Sequence, residues 1–144
     1  MNKFLKCLLT IFMIVILSGC IKNLDKLSYS NFNEYFSKRN NYDVIDKTSQ
    51  YDIGVRKYIE AGDGYIQIFY IEFSNNKNAN KYINNIYLND NNYKVKNKKN
   101  YTYIKNKKGN YFRLYKKNNK IIYGTTNNKR HIKDVKRVLN ELLN

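Results

Sequence analysis

The stretch IGVRKYIEAGDGYIQIFYIEF, residues 53–73, decides the fold. Ile53, Val55, Lys57, Ile59 and Ala61 alternate with Gly54, Arg56, Tyr58 and Glu60, the two-residue period of a strand whose faces meet different surroundings. Ala61-Gly62-Asp63-Gly64 supplies turn chemistry, because glycine takes a positive φ at no steric cost and an Asp carboxylate accepts from nearby backbone N–H groups. Tyr65–Phe73 then runs densely apolar, with Ile68 or Phe69 expected in the core. The pattern predicts an antiparallel hairpin.

On the N-terminal side, Asn31-Phe32-Asn33-Glu34 approximates a capping box, and Phe32, Tyr35, Phe36 and Arg39 follow at helical spacing to an end near Asn40-Asn41. On the C-terminal side Ser74 is placed to cap a helix whose Ala79, Tyr82, Ile83 and Ile86 share one face, as far as Leu88. Asn89 to Asn100 is almost all Asn and Lys and reads as a mobile loop. Beyond it, Tyr101–Lys105, Tyr111–Lys116 and Lys120–Thr125 form a three-stranded meander with turns at Lys107-Lys108-Gly109-Asn110 and Asn118-Asn119. Ile132, Val135, Val138, Leu139 and Leu142 make one stripe of a closing helix. Tight turns imply antiparallel pairing, and helices with single apolar stripes need a sheet face to cover. The expectation is an α+β domain: an antiparallel sheet of about five strands with helices packed on one face, in the order α-β-β-α-β-β-β-α.

The first twenty residues carry a different signal. Lys3 and Lys6 precede an apolar run from Leu8 to Leu17 broken only by Thr10, a signal-peptide pattern rather than a fold element. The apolar stretch from Leu8 to Ile21 falls short of the about 20 residues that span a bilayer. It closes on Leu17-Ser18-Gly19-Cys20, which resembles the lipobox of bacterial lipoproteins. That resemblance implies a diacylglyceryl thioether on Cys20, cleavage between Gly19 and Cys20, and a mature chain held at the extracytoplasmic face of the cell membrane. Two acyl chains anchor stably where one gives only marginal binding. The division that follows is a signal peptide over 1–19, a lipidated tether over 20–29 and a single domain over 30–144. The strand Gln67–Phe73, the Asn-rich helix with Ala79, the Tyr-rich meander and the closing helix are together similar to small lipoproteins of low-GC Gram-positive bacteria. This second resemblance covers most of the mature chain, implies location and architecture, and brings no catalytic residue.

The 144 residues carry 27 Lys and Arg against 11 Asp and Glu, a net charge of +16, and the excess is one-sided. From Ile21 to Asp90 the charges balance, whereas between Asp90 and Asp134 there are 14 basic residues and no acid. A field of that kind attracts polyanions, and outside the cytoplasm the candidates are anionic lipids and wall polymers. The Lys, Asn, Ile and Tyr saturation is also what an AT-rich genome produces on a solvated surface. Within the strand from Tyr111, Phe112 and Leu114 point one way while Tyr111, Arg113, Tyr115 and Lys117 point the other, so flat rings interleave with cations. Lys105, Arg113, Lys116 and Lys117 are the candidate polyanion-binding residues.

Catalysis fails on inventory. Cys7 and Cys20 are the two cysteines and His131 the one histidine, which leaves no cysteine- or His-rich metal centre. His131 reads as a solvated surface residue. Glu60 and Glu72 flank the hairpin turn at similar distances, so a carboxylate pair is conceivable, as are salt bridges with Lys57 or Arg56. No Gly-rich phosphate loop, calcium loop or nucleophile elbow is present. No cofactor, metal or nucleic-acid partner is expected. The expected function is a non-enzymatic binding module of the cell envelope. The alternatives are an electrostatic binder of anionic lipids or wall polymers through the basic half, and an envelope enzyme subunit.

Overall fold

The computed structural model describes Leu24 and residues 27–51, 54–88, 91–98, 102–106 and 109–143. The signal peptide, Gly19, Cys20 and most of the tether lie outside the described residues, as do Lys107 and Lys108. Among the described residues, three α-helices and seven strands follow in the order α1 (Tyr29–Ser37), β1 (Asp43–Asp46), β2 (Val55–Gly62), β3 (Gln67–Phe73), α2 (Asn76–Ile83), β4 (Tyr93–Asn97), β5 (Thr102–Asn106), β6 (Tyr111–Lys117), β7 (Lys120–Thr126) and α3 (Ile132–Leu142). The strands make one sheet, β1-β2-β3-β7-β6-β5-β4, antiparallel at every pairing. The class is α+β, with a sheet larger than the five strands expected and a different element order.

The hairpin of β2 and β3 has the expected form. Gly62 sits opposite Gln67, Asp63 Oδ1 accepts from the Tyr65 and Ile66 amides at 2.9 and 2.8 Å, and Gly64 takes φ +84°. Ile68 and Phe69 are both buried. From Phe73 the chain crosses by α2 and a π-helical turn (Asn84–Leu88) to β4 at the far edge. It then returns strand by strand until β7 pairs with β3 at the centre. The two strands missed in the sequence are the edges. β1 has all four residues exposed, so no apolar period announces it. β4 lies inside the Asn- and Lys-rich stretch read as a loop, where half-buried Tyr93 and Val95 alternate with exposed Lys94 and Lys96.

The helices do not share one face. Ile68 and Tyr70 of β3 pack with Ile59, Ile122 and the apolar residues of α1 and α3, including Phe32, Phe36, Val135 and Leu139. Phe69, Ile71 and Phe73 pack on the opposite face with Leu114, Ile121, Ala79 and Ile83 of α2, and Tyr87. The physical reason is the composition of β3 itself: an apolar run without alternation must be covered on both sides. Ile86, expected on the inner face of α2, is 43 % exposed, because the π-helical turn changes the angular step and brings Tyr87 inward in its place. The caps also differ. Ser28, three residues earlier than expected, caps α1 by accepting from the Asn31 amide at 3.2 Å, and Asn75 rather than Ser74 caps α2.

Candidate functional site

α1 and α3 lie over the β3–β7 half of their face, with contacts to β1 from α1; their core reaches as far as Tyr115 of β6, and beyond it Lys94 of β4 and Lys105 of β5 are exposed on that side while Arg113 of β6 is half-buried. The register across the wing places Lys94 directly opposite Lys105, and Lys105 directly opposite Arg113. Residues directly opposite in an antiparallel pair share a face with Cβ atoms about 4.5–5.5 Å apart, so three cations form a row across three strands. Like charges so placed repel, and nothing acidic interrupts them: the region from Lys94 to Arg113 contains no Asp or Glu.

Tyrosine rings flank the row. Arg113 has its guanidinium carbon 5.5 Å from the Tyr103 ring centre and 5.8 Å from that of Tyr111, and Lys136 of α3 brings its Nζ to 5.8 Å from the Tyr111 ring. These distances suit cation–π attraction. Burial pushes the Tyr111 phenol up to about 12, so it keeps its proton and remains a donor. Among the described residues, Tyr111 Oη and Arg113 Nε are buried polar side-chain atoms without a hydrogen-bond partner.

Of the four residues singled out in the sequence, Lys105 and Arg113 come together in this row. Lys117 is half-buried on the same face at the β6–β7 turn, opposite Lys120. Lys116 is on the other face, 8 % exposed, with its Nζ donating to Asn76 Oδ1 of α2 at 2.8 Å. Burial lowers its pKa. Its function is to tie α2 to the sheet. Lys94 is not among the sequence candidates because the Asn and Lys of residues 89–100 read as a loop, although the Tyr-Lys-Val-Lys alternation of residues 93–96 is the signal of its strand.

The other sequence candidates fall apart as a site. Glu60 and Glu72 point to opposite faces: Glu60 pairs with Lys47 and accepts from Gln67 Nε2 at 3.0 Å, while Glu72 accepts from Tyr70 Oη at 2.7 Å. His131 is half-buried rather than freely solvated, 3.0 Å from Asp134 Oδ2 and stacked at 4.7 Å on Tyr65. Asp134 sits below the usual carboxylate range because of that hydrogen bond and of Arg137. Gly19 and Cys20 are outside the described residues.

No protein-family model and no curated protein matches the chain. Its fold is similar to the crystal structure of a GTP binding regulator from Thermotoga maritima, with a TM-score of 0.53 and 14 % sequence identity over 80 % of this chain and 87 % of that one.

Proposed function

We propose that the protein is a lipid-anchored, non-enzymatic binding module of the cell envelope, held by Cys20 at the extracytoplasmic face of the membrane, and that the wing formed by the exposed β4–β5 edge and Arg113 of β6 takes an anionic, phosphate-bearing envelope polymer or lipid headgroup. The observation that carries it is the row Lys94, Lys105 and Arg113, three like charges in register with no acid between them. A fold that tolerates cross-strand repulsion gains when a polyanion relieves it. The fixed spacing also goes beyond what a Lys-rich genome produces, since composition inflates Lys without choosing register or face. The lipobox resemblance of Leu17-Ser18-Gly19-Cys20 supplies the address. GTP does not come across with the neighbour's fold at this identity, and the chain has no Gly-x-x-x-x-Gly-Lys run to cradle a nucleotide phosphate.

Two measurements test the reading. Mass spectrometry of the mature N-terminus should find a diacylated Cys20; cleavage elsewhere or an unmodified thiol rejects the anchor. The mature protein in neutral detergent micelles should bind soluble poly(glycerol phosphate) at low salt and release it as salt rises. Lys94→Gln, Lys105→Gln and Arg113→Gln together should weaken that binding at least tenfold, whereas Lys133→Gln on α3 should not. Competition by micelles containing phosphatidylglycerol distinguishes a lipid headgroup from a wall polymer. Equal binding by the triple variant rejects the wing as the site.

A further inference from the structure

The opposite face of the sheet carries a surface of different chemistry. α2 and the π-helical turn cover the end of this face near Phe73, leaving open the end formed by the β2–β3 turn, the start of β6 and the end of β7. Two adjoining hollows lie there, of about 390 and 410 Å³, sharing Asn110 and Thr125. The first holds Asp43, Glu60, Gln67 and Tyr65; the second holds Tyr93 and Phe112. Together they form a groove from β1 at one edge to β4 at the other. Six inter-strand spacings separate these edges, on the order of 30 Å.

In a chain of net charge +16, no Lys or Arg lines either hollow among the described residues. The carboxylate of Glu60 is already neutralised by Lys47, which pairs with it from outside the lining. Beside it the Asp43 carboxylate, an acceptor for hydroxyls, and Ile45 stand at the β1 end, and the rest of the lining is amides that donate and accept, threonine hydroxyls that do both, and aromatic rings. Tyr65 is 61 % exposed and its ring is backed by the His131 ring, which holds it in place as a platform. The Asp43 carboxylate, with no cation among the described lining residues, disfavours a polyanion, and the polar lining disfavours an apolar chain. Amide and hydroxyl pairs with interspersed rings match a ligand that is uncharged, rich in hydroxyls and faced with C–H groups. The length of the groove suits several linked rings better than one.

We propose that this groove binds a neutral glycan chain laid across the strands, independently of the cationic wing on the other face. The test is isothermal titration of the full chain in neutral detergent micelles with chitohexaose, cellohexaose and maltohexaose. At least one should bind saturably, with an affinity that changes less than twofold between low and high salt. Gln67→Ala with Asn110→Ala should lower that affinity at least tenfold, as should Tyr65→Ala alone, whose exposed position leaves folding intact. Lys94→Gln, Lys105→Gln and Arg113→Gln together should leave it unchanged, so failure here is separable from failure of the polyanion reading. Absence of binding by all three glycans overturns the proposal. So does binding that survives both groove variants, or a groove that takes an extended uncharged peptide and no glycan.

Discussion

Gly124 shows how one residue decides where a helix rests. It sits within β7, between its neighbour β3 and α3, and a Cβ built there would meet Val135 Cγ1 at 2.6 Å, Ile68 Cδ1 at 2.8 Å and Leu139 Cδ1 at 3.2 Å. No side chain fits without displacing two elements that are themselves fully packed. Gly124→Ala is therefore expected to destabilise the protein by about 1–3 kcal/mol, the usual range for overfilling a close-packed interior. Chemical denaturation measures it. Combining it with Val135→Ala should cost less than the sum of the two single changes, because the second removes the atom the first collides with. Strict additivity would mean that α3 does not lie against β7 as described.

At the scale of elements, the start of α1 separates two readings of the same residues. The capping-box pattern places the cap at Asn31, whereas Ser28 Oγ accepts the Asn31 amide and the helix begins at Tyr29. Ser28→Ala should then cost about 1 kcal/mol, and Asn31→Ala, inside the first turn on an exposed face, should stay within about 0.5 kcal/mol of neutral. Thermal melts of the two variants decide it, and a larger loss at Asn31 would restore the later cap. The hairpin, α2 and α3 were legible because their turn residues and apolar periods are local. The edge strands were not: β1 buries nothing, and Tyr93 and Val95 of β4 were submerged among Asn and Lys. The second covered face was legible in principle, since residues 68–71 are apolar without a break, a run that a one-sided sheet does not require. Half of the cationic row could be found in the sequence as Lys105 and Arg113, but register is a pairing property, and Lys94 joined them only once β4 was a strand.

For the whole molecule, the tyrosines control the response to alkali. Fifteen occur in the chain, and six of them within or against the two cores are held neutral by burial: Tyr35, Tyr58, Tyr70, Tyr87 and Tyr123 are raised well above the ordinary phenol value, and Tyr111 to about 12. The Tyr58 and Tyr123 hydroxyls lie 3.0 Å apart, an arrangement that needs at least one proton between them. In the unfolded chain all of these groups release their protons near pH 10. Between pH 10 and the higher native values the unfolded state holds fewer protons than the native one, so stability falls as pH rises. Their contribution is fully present below pH 10 and is lost above it. The expected outcome is a sharp alkaline unfolding in which the absorbance of these buried tyrosinates and the loss of far-ultraviolet circular dichroism follow the same curve. Tyr58→Phe with Tyr123→Phe should move that curve to higher pH, because two raised phenols are removed while the rings that stack on Tyr51 and Phe69 remain. If instead every phenol ionises near pH 10 while the circular dichroism stays native, the aromatic layer on the α2 face is open to water and its packing is not what holds the sheet together.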